Sequence, residues 1–171
     1  EINIIEEAQP RWLAFLNGEH DYIERFPNEY ANIAAPGGKL APNLAKQGIT
    51  LQRLVEPNLT YYYFNMEDPV VGGYTPEKVA LRRAICMSMN DNEEIQIIRK
   101  NQAIRAESPV PPGVAGYDEN FHSSAGEYNP AKAKALLDPF GYFDRDGDGY
   151  RQGPGGKPPT IRHARPPTQT D

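Results

Sequence analysis

The spacing of apolar residues changes several times along this chain, and each change marks an expected element. Ile2, Ile4 and Ile5 form a short apolar–polar pattern that reads as a strand. Trp12, Phe15 and Leu16 fall at i, i+3 and i+4, one face of a short helix that Gly18 is suited to end. Asp21 to Phe26 returns to an extended pattern, and Asn28 to Gln47 is a weaker helical stretch interrupted by Pro36-Gly37-Gly38. Ile49, Leu51, Leu54 and Val55 suggest another strand. After Pro57-Asn58, Leu59-Thr-Tyr-Tyr-Tyr-Phe64 is the strongest strand signal of all, since aromatic and β-branched side chains suit a pleated, packed surface.

Beyond this point the helical period dominates. Thr75-Pro76-Glu77 supplies a hydroxyl cap, a proline for the first helical position and an acid for the first turn. Leu81, Ala84, Ile85, Ser88 and Met89 then make one face. Asp91-Asn-Glu-Glu94 resembles a capping box and predicts a second helix through Ile95 and Ile98. The prolines of Glu107 to Gly116 forbid regular structure. Asn129-Pro130 caps a further helix with Leu136 and Leu137 facing inward, stopped by Pro139 and Gly141. Thr160 to Ala164 reads as the start of a strand. The expected fold is α+β (mixed α/β), with three or four strands and about four helices.

Composition adds that 17 prolines and 15 glycines in 171 residues require much irregular connection, while ten Tyr, six Phe and one Trp supply core material. The length suits one globular domain, residues 1–171, and is short for two. A net charge of −5, with only Arg162, His163 and Arg165 clustered, argues against nucleic acid as a partner. No apolar run approaches the length of a membrane span. The first residues carry no basic and apolar leader pattern, although a mature secreted chain would read the same. Cys86, the lone cysteine, sits among Ala84, Ile85 and Met89 and reads as a buried, inert thiol.

Candidate chemistry is sparse. Asp144-x-Asp146-x-Asp148-Gly149 matches the opening of a calcium loop, so these three are the candidate metal ligands and a small calcium-stabilised interaction module is the alternative function. The loop's twelfth position, where a bidentate Glu belongs, is Gly155, which favours a polar turn and no cofactor. On a strand, Tyr61, Tyr63 and Asn65 would share one face and Tyr62 and Phe64 the other, one face suiting the core and the other the lining of a pocket. His20, His122 and His163 lack metal-ligand spacing, Ser123-Ser124 beside His122 is adjacency rather than a triad, and Pro36-Gly37-Gly38-Lys39 lacks P-loop spacing. An enzyme is not expected.

Taken in order, several segments resemble the family 5 extracellular solute-binding proteins, the oligopeptide and dipeptide receptors of ABC importers. They are Leu16-Asn-Gly-Glu-His-Asp21, Tyr61-Tyr-Tyr-Phe-Asn65 with Pro69, Leu81-Arg-Arg-Ala-Ile85, Pro109-Val-Pro-Pro-Gly113, Gly116-Tyr-Asp118, Tyr128-Asn-Pro-Ala-Lys-Ala-Lys-Ala-Leu-Leu137 and Asp144-Arg-Asp-Gly-Asp-Gly-Tyr150. The resemblance covers about residues 8 to 165, with Asn90 where the family usually has Asp and Glu119 where it has Pro. It implies a partial C-terminal lobe of a type II periplasmic-binding-protein-like fold, a single lobe or fragment of a longer two-lobed receptor. It further implies capture of a peptide or other small solute, with Tyr61, Tyr63 and Asn65, on the strand leading towards the cleft, as the candidate ligand-binding residues. Delivery to the membrane permease of an ABC importer and a periplasmic or extracellular location follow, with any membrane anchor in a segment outside this sequence.

Overall fold

A computed structural model describes residues 2–24, 27–124 and 126–164. The described chain divides into two compact units, one of residues 2–54 and 93–104, the other of residues 55–92 and 105–164.

In the first unit, α1 (Ala8–Leu16) buries Trp12 and Ala14 and ends as expected at Gly18, whose φ of 76° suits a residue without Cβ. Trp12 stacks on Phe15 and on Tyr30, each with ring centroids 5.8 Å apart. Two short helices, α2 (Ala31–Ala34) and α3 (Pro42–Ala45), close over it, so that Trp12, Ala34, Ala41 and Leu44 form the core, with Phe15, Leu16, Ile23, Tyr30, Leu40 and Ile49 packed around. Pro36–Gly38 forms the turn between them, breaking the helical stretch where proline and glycine predict a break.

The second unit is built on α4 (Pro76–Met87), which starts at the expected cap: Thr75 Oγ1 accepts the Lys78 N–H at 3.4 Å. Its buried residues are Ala80, Leu81, Ala84 and Met87. The helix stops at Met87, so Ser88 and Met89 lie beyond it and Met87 takes the inward place expected of Met89, which is 38% exposed. The expected second helix is only α5, a single turn over Asp91–Glu93, followed in the first unit by a π-type turn over Glu94–Ile98. Asn129 caps α6 (Pro130–Leu137) by accepting the Lys132 N–H at 3.0 Å. Packing of α4 against α6 buries Ala84, Met87 and Ala133 with Leu137, while Val71, Leu81 and Tyr142 make a neighbouring cluster with Phe64, Ile85 and Phe140.

The α+β expectation fails. Among the described residues there is no sheet, and the one piece of strand-like pairing is Phe143 with Gln152, whose backbone groups exchange hydrogen bonds of 3.2 and 2.9 Å. Residues 2–5, 49–55, 59–64 and 160–164 have strand composition but pair in no ladder, and a strand is defined by its ladder rather than by its own sequence. Ile2 and Ile4 are accordingly 92% and 89% exposed. Of the extended stretch expected from Asp21, Arg25 and Phe26 lie outside the described residues, as does Arg165 of the basic cluster.

Candidate functional site

Within the second unit the tyrosine segment runs into a tightly fastened loop. Asp68 Oδ1 accepts the N–H groups of Val70 and Val71 at 2.7 and 3.0 Å, and Gly72 and Gly73 return N–H bonds to the carbonyls of Asp68 and Met66. A side chain at Gly72 would run into those same two carbonyls, so only glycine closes this turn. Two cations of α4 complete it. Lys78 Nζ donates to the carbonyls of Pro69 and Val70 at 3.0 and 2.8 Å, and Arg82 Nη1 donates to Val71 and Gly73 at 2.7 and 2.8 Å. The N–H groups of Val71 and Val70 hold the Asp68 carboxyl below its ordinary value against the opposing effect of burial, with Arg162 and Lys78 adding to them.

Above this base, Tyr61 and Tyr63 are 67% and 83% exposed, with ring centroids 6.2 Å apart and planes tilted by 47°. The two rings share one side, as alternation requires. Asn65 is exposed, and its Oδ1 accepts the Glu67 N–H at 3.0 Å, so part of its side chain serves the turn. Of the other face, Phe64 packs on the core cluster, whereas Tyr62 is 60% exposed and lies 5.7 Å from the His163 ring. The segment thus presents phenol rings with apolar bodies and hydrogen-bonding tips.

Asp144, Asp146 and Asp148 are also brought together, with one oxygen of each within 4.8 Å of the others, all exposed. Those oxygens are largely engaged in holding the turn. Asp144 accepts the N–H groups of Gly147 and Gly149 at 2.7 and 3.0 Å, and Asp148 accepts that of Tyr150 at 2.8 Å. Asp146 accepts the Gln152 Nε2 group at 3.0 Å, while Gln152 Oε1 accepts the Arg145 N–H at 2.7 Å. Burial would raise the Asp146 pKa, yet the N–H of Asp148 and the Gln152 amide outweigh it and bring it below its ordinary value. Gln152, 4% exposed, is the residue that sequence inspection passed over; its buried amide is legible only once Phe143 and Gln152 are seen to pair.

The remaining candidates stay apart. His122 and Ser124 are exposed, and the Ser123 N–H donates to Glu107 Oε2 at 2.9 Å. Cys86 is half-buried, and burial, reinforced by Asp91, pushes its thiol upward, as suits an unreactive sulfur. No helix among the described residues is long and apolar enough to cross a membrane.

Comparison with known proteins gives the chain a context. The family model described as bacterial extracellular solute-binding proteins, family 5 Middle, matches residues 1–171. The di/tripeptide-binding protein 2 of Pseudomonas aeruginosa (strain UCBPP-PA14) is 34% identical over 89 residues, an alignment covering 47% of this chain and 16% of that protein. No solved structure matches the chain.

Proposed function

The chain belongs to the family 5 bacterial extracellular solute-binding proteins, and on that footing we propose that it is part of a receptor that captures peptides for an ABC importer. The family match over the full sequence carries this reading, and it makes the chain a binding protein rather than an enzyme. The similarity to a di/tripeptide-binding protein supports peptide as the solute class. A permease in the membrane would be the partner, and the periplasmic or extracellular side the place of action.

Within this reading Tyr61, Tyr63 and Asn65 are the ligand-facing residues. Exposed phenols on a firmly anchored loop suit a peptide receptor, because rings offer area to side chains of many shapes while hydroxyls reach the peptide backbone. Titration of di- and tripeptides into the isotope-labelled chain, followed by amide shifts, tests it. Shifts centred on residues 59–65 that vanish in Tyr61→Ala and Tyr63→Ala are expected; an unresponsive segment removes these residues from the site. The Asp144–Asp148 turn serves structure and needs no ion on this reading. Calcium or a chelator should leave the melting temperature unchanged, and a rise with calcium would restore the alternative of a calcium-stabilised module.

A further inference from the structure

Residues 93–104 leave the second unit after Asn92 and the chain returns to it at Arg105. Both ends of this excursion converge on one guanidinium. Arg105 Nε lies 3.5 Å from Asp91 Oδ2 on the outgoing side, and its Nη1 lies 2.9 Å from Glu107 Oε1 on the returning side. Its Nη2 donates to the carbonyl of Gly126, and Glu107 Oε2 holds the Ser123 N–H at 2.9 Å. A Cβ at Gly126 would sit 2.5 Å from Arg105 Nη2, so a larger residue there would make the guanidinium shift from this position. The fork of donors is therefore spent on three separate stretches of chain, a use that the point charge of lysine does not reproduce.

The excursion itself carries strain. After the π-type turn over Glu94–Ile98, Lys100 and Asn101 are consecutive non-glycine residues with φ of 49° and 61°. Such a pair persists only when its surroundings over-determine it. Local fastenings exist: Arg99 Nε pairs with Glu94 at 3.0 Å, and Arg53 Nη2 donates to the Asn101 carbonyl at 2.7 Å.

We propose that the Asp91–Arg105–Glu107 cluster is a clasp that closes the neck of residues 93–104 and sets how often this strap opens. The inference is independent of which solute the protein binds. The side chains of Arg105, Asp91 and Glu107 are 31%, 46% and 26% exposed, so the clasp is reached by salt. Hydrogen exchange on the whole chain, resolved by segment, provides the test. In Asp91→Asn and in Gly126→Ala, amides of residues 94–104 should exchange about tenfold faster while those of α4 and α6 keep their rates. Raising the salt concentration should accelerate the same amides in the parent protein and much less in Asp91→Asn. Equal acceleration across α4 and α6 would make Arg105 a general stabiliser and overturn the proposal, as would unchanged exchange in residues 94–104. Should Gly126→Ala fail to fold, the Asp91→Asn variant and the salt response still decide.

Discussion

Helix α4 and the run from Leu51 to Tyr63 are both rich in apolar and aromatic side chains, and they dispose of them in opposite ways. The helix closes its backbone bonds within itself, takes a cap from Thr75, and turns Leu81 and Met87 inward to 3% and 1% exposure. The extended run makes no backbone–backbone bond between residues 50 and 64 among the described residues, and leaves Leu54, Tyr62 and Tyr63 60% to 83% exposed. A helix needs one neighbouring surface; a strand needs another strand first, and only then a surface. The contrast separates buried side chains that hold the chain together from exposed rings that another molecule can meet.

Core truncation should give the largest effect. Leu81→Ala is expected to cost about 2–5 kcal/mol in urea unfolding, since it removes buried atoms and leaves a void between α4 and Tyr142. If it cost no more than Tyr63→Ala, the division drawn between the two regions would collapse.

Tyr142→Phe comes next, at about 1 kcal/mol for loss of the bond from the phenol to Glu77 Oε1. That bond is 2.8 Å long in the folded chain. Burial, then Glu77, pushes this phenol from its ordinary 10.0 up to about 12. A folded-state pKa above the unfolded one means stability that is complete below pH 10.0 and is lost as pH climbs towards 12. Unfolding followed across that window should show a decline that Tyr142→Phe flattens.

Asn129→Ala should cost about 1 kcal/mol, because the α6 cap to Lys132 disappears, and thermal melting reads the loss. Tyr63→Ala, at the other extreme, should move stability by less than about 0.5 kcal/mol, since an 83% exposed ring contributes little to the fold. A larger destabilisation would show that the tyrosine segment is structural, sharpening the contrast from the side of the extended run.

What the residues themselves disclosed follows the same division. Caps and stops at Thr75, Asn129 and Gly18 act over three or four positions, so local sequence announced them. The strand expected at Leu59–Phe64 rests on composition alone, and nothing local supplies its ladder partner. The buried face of α4 differs from the one the spacing predicts: Ala80 and Met87 are buried, and Met89 lies beyond the end of the helix. At the candidate site the alternation of Tyr61 and Tyr63 was readable, whereas Arg82, Lys78 and Gln152 act through folded-chain proximity that no spacing rule reveals. The solute-binding family was legible from the order of many short segments, none informative alone.

The burial of Trp12 between Phe15 and Tyr30 has a practical consequence. It is the single tryptophan of the chain and belongs to the first unit, while the buried phenol of the second unit is Tyr142. Indole emission is therefore a built-in optical gauge of one unit, and the ultraviolet absorbance of tyrosine leans towards the other. Two superimposable denaturation curves would describe one cooperative molecule; two displaced curves would describe a chain that comes apart in stages.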